Sequence, residues 1–207
     1  MTGYFNLLML SSKWYARSEM GGGLERSARR LFQYVLEHGH RVVVLTRNYD
    51  GLPHREVIDG VVVYRFPIWG RSRLMSSLSY LIQCLTWMIR HRKEYDLIHC
   101  HQSYAPATIG TLGKLLFGKP VLVKVSTADE FSERRELERL PLFRVRRWLL
   151  RRVDRFVVVN PKAREEFMEL GIDPSRIVHI PNGVVIPPRA ALEHDVKHAA
   201  RIRLGLP

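Results

Sequence analysis

Short apolar runs alternate with stretches of helical spacing along nearly the whole chain. Phe5–Leu10 is one such run and reads as a fully buried strand. After a polar stretch that ends in Gly21, Gly22 and Gly23, residues Leu24, Ala28, Leu31 and Val35 recur at helical spacing through His38. Gly39 stops that helix, since glycine tolerates left-handed geometry. Arg41–Thr46 is the next buried strand, so the chain opens as strand, glycine loop, helix, strand. Continuous apolar strands in this order predict a parallel sheet covered on both faces.

The alternation continues. Val57–Ile58 and Val61–Arg65 flank Asp59–Gly60, a pair that favours a two-residue hairpin turn. The pattern then predicts helices over Leu74–Arg92, Ala105–Phe117, Leu140–Val153 and Pro161–Leu170. Strands are predicted over Asp96–Cys100, Pro120–Val125, Arg155–Val159 and Ile177–Ile180. Gly118 and Gly171 close two of the helices. The expected fold is α/β: a Rossmann-like three-layer α/β/α sandwich with a mainly parallel sheet. Pro181–Pro188 is a turn-rich exit, and the remainder is too short for a domain.

Composition narrows the classes. A chain of 207 residues that is 46% hydrophobic and 10% aromatic buries a core and is no disordered tail. Its 33 basic and 20 acidic residues give a net charge of +13, which points to anionic partners: nucleic acid, a phospholipid surface or phosphorylated small molecules. Cys84 and Cys100 make no disulfide framework, and no C-x-x-C pair offers a zinc site, so a reducing, cytoplasmic setting is expected. The first basic residue, Lys13, follows the apolar run rather than preceding it, unlike a secretory signal. No stretch has the length of a transmembrane helix; Leu74–Ile89 is broken by serines, Gln83 and Thr86.

The glycine loop sits where an open parallel sheet gathers ligands. Glycines there let the backbone approach a phosphate, and the following helix start offers free N–H groups and about half a positive charge. A ligand-free flexible turn explains the same triplet. Two familiar nucleotide motifs fail. The dinucleotide fingerprint wants a glycine where Arg26 stands and an acid where Arg47 and Asn48 stand. A P-loop wants Gly-Lys followed by Ser or Thr, but Leu115 follows Lys114 and Pro120 follows Lys119.

Four segments then line up with a family. Gly21-Gly22-Gly23-Leu24-Glu25-Arg26 resembles the Gly-Gly-x-Glu-Arg loop of family-four retaining glycosyltransferases. Gly39-His40-Arg41-Val42-Val43-Val44-Leu45-Thr46 is similar to their second strand. Asp96-Leu97-Ile98-His99-Cys100-His101 and Ile180-Pro181-Asn182-Gly183-Val184 are similar to two later segments. The resemblance covers roughly residues 5–185 and implies one half of a GT-B fold. Residues 1–185 would be the N-terminal, acceptor-side domain. Residues 186–207 would lead into an absent C-terminal domain that binds the donor. One departure stands at Ser126-Thr127, where many relatives carry a His-Gly pair.

The implied function is transfer of a sugar from a nucleotide-sugar substrate to a glycan or lipid-linked acceptor, in glycan or cell-envelope polysaccharide biosynthesis. No metal or other cofactor is implied, and residues 1–207 alone are expected to transfer nothing. By the resemblance, Gly21, Gly22, Gly23 and Glu25 form the acceptor or phosphate loop. His101, Ser126, Thr127, Asn160 and Asn182 line the cleft, with Asn182 at an interdomain hinge. No residue is singled out as catalytic.

Other readings of these residues stay open. His99 and His101 are two apart on a strand and share a face; cleft hydrogen bonding and a buried structural role both fit. Asn160 before Pro161 also suits a helix cap. The arginine-rich stretch Glu133–Arg155, read as one helix, puts Leu142, Val145, Leu149 and Val153 on one face and Arg144, Arg147, Arg151 and Arg155 on the other. That basic face is either solvated or seated on an anionic surface. No nucleic-acid motif accompanies it, and nucleic acid is not an expected partner. The apolar residues of Leu74–Arg92 and the basic cluster Arg90–Lys93 suit peripheral contact with the inner face of an anionic membrane; packing on the sheet explains them equally. The competing functional reading is a non-catalytic, basic, partner-binding module.

Overall fold

A computed structural model of the chain describes residues 4–14, 23–49, 51–70, 72–127, 132–183 and 194–205. Among them, eight strands form one sheet: β1 (Asn6–Leu10), β2 (Arg41–Asn48), β3 (Arg55–Ile58), β4 (Val61–Pro67), β5 (Leu97–His101), β6 (Val121–Val125), β7 (Arg155–Val158) and β8 (Ile177–His179). Their order is β3-β4-β2-β1-β5-β6-β7-β8. Every pairing is parallel except β3 with β4. The β3–β4 turn is made by Asp59 and Gly60, both at positive φ (50° and 80°), as the twist of a two-residue hairpin requires.

Seven helices are described: α1 (Gly23–Glu37), α2 (Arg73–Arg90), α3 (Ala105–Phe117), α4 (Glu133–Arg139), α5 (Phe143–Leu150), α6 (Pro161–Glu169) and α7 (His194–Arg203). Chain handedness sorts them. The connection β1–α1–β2 steps one way across the sheet. The connections through α2, α3, α4–α5 and α6 all step the other way. Right-handed crossovers therefore put α1 on one face and α2 to α6 on the other. Side chains alternate to match: Leu8 and Leu10 of β1 join the core beneath α2 to α6, while Leu7 and Met9 join the core beneath α1.

The α1 layer packs mainly over β1, β2 and β4, where Ala28, Phe32 and Val35 meet Val42, Val44, Val61 and Val63, and it touches β5 and β6 through Phe32 against His99 and Ser27 against Lys124. Over β5 to β8 that face stays open as a groove of about 620 Å³, walled by Leu97, Leu122, Val157 and Ile180 among others. On the opposite face, α3 lies tight against β5. A Cβ at Gly110 would meet the Cys100 sulfur, and one at Gly113 would meet the Met88 methyl.

The helix expected over Leu140–Val153 is present but shorter, as α5, and the reading of Glu133–Arg155 as one helix is corrected by the structure. Two helices, α4 and α5, flank a break at Leu140–Leu142. Pro141 has no amide proton to donate and holds Leu140 extended (ψ 146°), and Leu142 adopts left-handed geometry (φ 60°). The proposed apolar face splits with it: Leu149 and Val153 are buried, but Leu142 and Val145 are exposed. The basic face is not simply solvated either. The Arg147 and Arg151 Nε atoms donate to the carbonyls of Leu170 (2.6 Å) and Gly171 (3.0 Å), clipping α5 to the end of α6.

Candidate functional site

The sheet has a switch point between β1 and β5, from which the chain proceeds to the left and then to the right. Open α/β sheets bind ligands at the carboxyl ends of the strands there. In this chain that edge carries Ser11–Trp14 after β1, Gln102 and Ser103 after β5, Ser126 and Thr127 after β6, and Asn160 after β7. Gly21 and Gly22 lie outside the described residues. Gly23 begins α1, and among the described residues nothing stands within 4 Å of the position its Cβ would take.

Two of these loops are locked by a residue that the sequence patterns did not single out. Glu133, the first residue of α4, accepts hydrogen bonds from the Ser103 amide (2.6 Å), the Ser103 hydroxyl (2.8 Å) and the Ser126 amide (2.9 Å). The Thr127 amide bonds it as well. Burial pushes its carboxyl above the ordinary range, and these donors pull against that rise. The signal available was Ser132-Glu133 at a helix start, with Ser132 as the cap.

His101 is fully buried, with no hydrogen-bond partner for either ring nitrogen among the described residues. Its ring lies 4.9 Å from that of His99, so the two do share a face. His99 lines the open groove, and its Nε2 is also unpartnered. Burial, helped by the charge of Lys124, holds the His99 imidazole down at about 3. Burial, then His99 and Lys124, push His101 well below the histidine range. Both rings are neutral at pH 7. Ser126 Oγ is buried without a partner among the described residues, and Thr127 is exposed.

Lys124 is the cation of this face. It is buried, and burial lowers its pKa. Its Nζ donates to Ser27 Oγ (2.6 Å) and Asn182 Oδ1 (2.7 Å), and among the described residues it makes no ion pair. Ser27 donates to the same Asn182 oxygen (2.9 Å), and Arg30 to the Gly183 carbonyl (3.2 Å). Asn182 thus ties the segment after β8 to the first turns of α1. Lys124 was visible as the one basic residue in the apolar run Val121–Val125, but the tie joins residues too distant in sequence for any local pattern.

Two of the singled-out residues have structural partners of their own. Asn160 Oδ1 accepts from the Ala163 amide (2.7 Å) and caps α6, with Pro161 as its first residue. Glu25 is buried and paired with Arg29 (3.1 Å), which also reaches Asp59 (3.1 Å) and lies over the Trp14 ring. Arg29, held by Glu25, therefore fastens α1 to the β3–β4 turn.

At the switch-point edge a polar cavity of about 270 Å³ opens among Ser12, Arg47, Ser77, Tyr104, Glu136 and Arg146. Beside it runs an apolar groove of about 180 Å³ between α2 and α5. Among the described residues no three His, Cys, Asp or Glu side chains stand together as a metal set. No described helix is long and apolar enough to cross a membrane.

The family model described as Glycosyltransferase Family 4 matches residues 21–186. The chain belongs to glycosyltransferase family 4. This family-4 chain superimposes with a TM-score of 0.63 on Anabaena HepE solved with UDP and glucose, at 16% identity. That match covers 98% of this chain and 50% of HepE. The lipopolysaccharide outer core galactosyltransferase WaaB matches at a TM-score of 0.59 and 12% identity, over 88% of this chain and 47% of WaaB. An uncharacterized glycosyltransferase of Methanocaldococcus jannaschii is 31% identical over 90 residues, which is 42% of this chain and 23% of that protein. The family-4 chain therefore spans about half the length of the solved structures it matches. At these identities the structural matches establish the fold, a Rossmann-like half of the GT-B kind.

Proposed function

We propose that residues 1–185 form the acceptor-side domain of a retaining glycosyltransferase, which moves a sugar from a nucleotide-sugar donor to a glycan or lipid-linked acceptor at the inner face of a membrane. The observation that carries this reading is the switch point: the glycine loop and the start of α1 follow β1 there, within the family-matched segment. HepE, about twice as long, was solved with UDP and glucose.

The chemistry asks for two things. The departing nucleoside diphosphate gains charge, which N–H groups at a helix start stabilise. The acceptor hydroxyl must be held against the anomeric carbon. In this reading Gly21–Gly23 approach the phosphates or the acceptor. His101, Ser126, Thr127 and Asn160 stand on the acceptor side, where the two imidazoles act as neutral hydrogen-bonding groups rather than cations. The principal donor ligands lie outside residues 1–207, in the domain that residues 186–207 lead into, so residues 1–207 alone transfer nothing.

Gly23→Val tests this directly. No described residue approaches its Cβ, so the described fold accepts the larger side chain and a loss of activity at an unchanged fold reports a ligand. Transfer by an enzyme carrying this chain drops by about 10²-fold, since small misplacements of reactants cost that much, with an unchanged unfolding midpoint. Unchanged turnover overturns the assignment of the loop.

A further inference from the structure

The polar cavity at the switch-point edge and the apolar groove between α2 and α5 are neighbours with a common wall: Ser77, Ala105 and Arg146 line both. Their chemistries differ: the cavity sets charged and hydroxyl groups among apolar atoms, and the groove is almost wholly apolar. The groove is made of Leu74, Leu78, Leu81, Leu142, Val145 and Leu149. Four of these face solvent, with Leu74 66% and Leu142 72% exposed, and Met75 and Ile82 of α2 are exposed nearby. Scattered surface leucines mean little, but a contiguous apolar strip beside a cavity marks a binding site. α2 does not need this face for packing. Its other face already buries Tyr80, Cys84, Trp87 and Met88.

The polar cavity holds two guanidiniums without acids of their own. Arg47 donates to the Tyr49 hydroxyl (3.0 Å) and lies over the Tyr80 ring, and its buried Nε has no partner. Arg146 donates to the Pro141 carbonyl (3.1 Å) and the Thr108 hydroxyl (3.0 Å). Among the described residues neither makes an ion pair, and Glu136 on the same rim is already paired with Arg139 (2.9 Å). Two planar, charged donors that face a cavity and pair with no carboxylate among the described residues match the oxygens of a phosphate.

We infer that the acceptor of this chain is an amphiphile in which a phosphate-bearing head joins directly to an apolar chain: the head sits between Arg47 and Arg146, and the chain lies in the groove between α2 and α5. This rests on the transferase reading and narrows its acceptor to the lipid-phosphate class. The shared wall sets the spacing, because an apolar chain leaving the head has to pass Arg146 to enter the groove.

The test uses decyl phosphate below its micelle concentration, with decyl maltoside as an uncharged head and inorganic phosphate as a head without a chain. Binding to the purified chain is read by titration calorimetry. Decyl phosphate binds about tenfold tighter than either control, as one charge-assisted contact allows. Arg146→Gln abolishes the preference for phosphate over maltoside. Leu78→Gln weakens both chain-bearing probes and leaves inorganic phosphate unchanged. Equal affinity for the two heads, or indifference to both substitutions, overturns the proposal. So does binding to anionic vesicles without binding of monomeric decyl phosphate, which assigns the strip to a membrane surface. Dimerisation abolished by Leu78→Gln assigns it to a second copy and overturns the proposal too. The outcome is independent of the Gly23→Val assay, so failure of one reading is not mistaken for failure of the other.

Discussion

The two faces of the sheet are built from the same strands and behave differently. Beneath α2 to α6 the side chains of β1, β5, β6 and β7 form one continuous core without a charged member. On the α1 face the same four strands present Leu7, His99, Lys124 and Val157, and cover fails beyond α1. The difference comes from connectivity, not from strand composition. Only one crossover steps toward β2, so only one helix lands on that side. A lysine and two histidines are tolerated where packing is incomplete and hydrogen-bond partners arrive from a loop. On the closed face each would be an unpaired burden.

The largest expected effect tests this within one strand. Phe156 and Val157 are adjacent in β7 and point to opposite faces. Phe156→Ala empties a site in the closed core and lowers the unfolding free energy by about 3–5 kcal/mol, whereas Val157→Ala on the open face costs under about 1 kcal/mol. Urea titration of both variants gives the difference, and equal losses would break the comparison.

The open face carries the next effect, which depends on acid. His99 and His101 have folded pKa values below that of an unfolded histidine, so the unfolded chain takes up their protons first. Their contribution is intact above pH ~6.5 and is lost as pH falls through their folded values, which for His99 is about 3. The slope is about 1.4 kcal/mol per pH unit for each ring. Glu133 is shifted upward and so adds nothing to this acid loss. Between pH 7 and 5 the share of His99 falls by about 2 kcal/mol, and His101 adds to the fall in the same direction. His99→Gln removes about half of the fall, and a pH profile indifferent to His99→Gln would show that the rings are not held neutral.

The smallest effect sharpens the closed side. Gly110→Ala costs about 1–3 kcal/mol, because the Cys100 sulfur sits on a short side chain that cannot withdraw. Gly113→Ala costs under about 1 kcal/mol, because the Met88 methyl is the far end of a flexible one. Thermal midpoints rank the pair, and the reverse order would sink this account of the α3 contact.

Much of the sheet was legible in advance, because a buried parallel strand announces itself as an unbroken apolar run and each glycine stop fell where a helix ended. The hairpin at Asp59–Gly60 was legible for the same local reason. The break at Pro141 was overlooked because apolar spacing continues through it, although the proline itself argued against one helix. The site was far less legible. The roles of Glu133, Lys124 and Ser27 arise from partners 7 to 155 residues away, and no spacing rule encodes the longer of these distances. Glu25 and Asn160, taken from a resemblance, have structural partners that only coordinates display. Arg47 and Arg146 were hidden in a chain rich in arginine, where what distinguishes them is that the fold brings both, 99 residues apart in sequence, to one cavity.

The contact between Ser27 and Asn182 spans 155 residues. It closes most of the chain into a loop held by hydrogen bonds rather than by a covalent link. Closing so long a loop is not much harder than closing one of half the length, since each doubling adds only about 0.6 kcal/mol. Its effect is on order in time. A contact of such high sequence separation forms only after the intervening strands have found their register. The Ser27–Lys124–Asn182 tie is then a late latch in folding and an early one to release, and amide exchange in the segment after β8 reports release before any strand of the sheet opens.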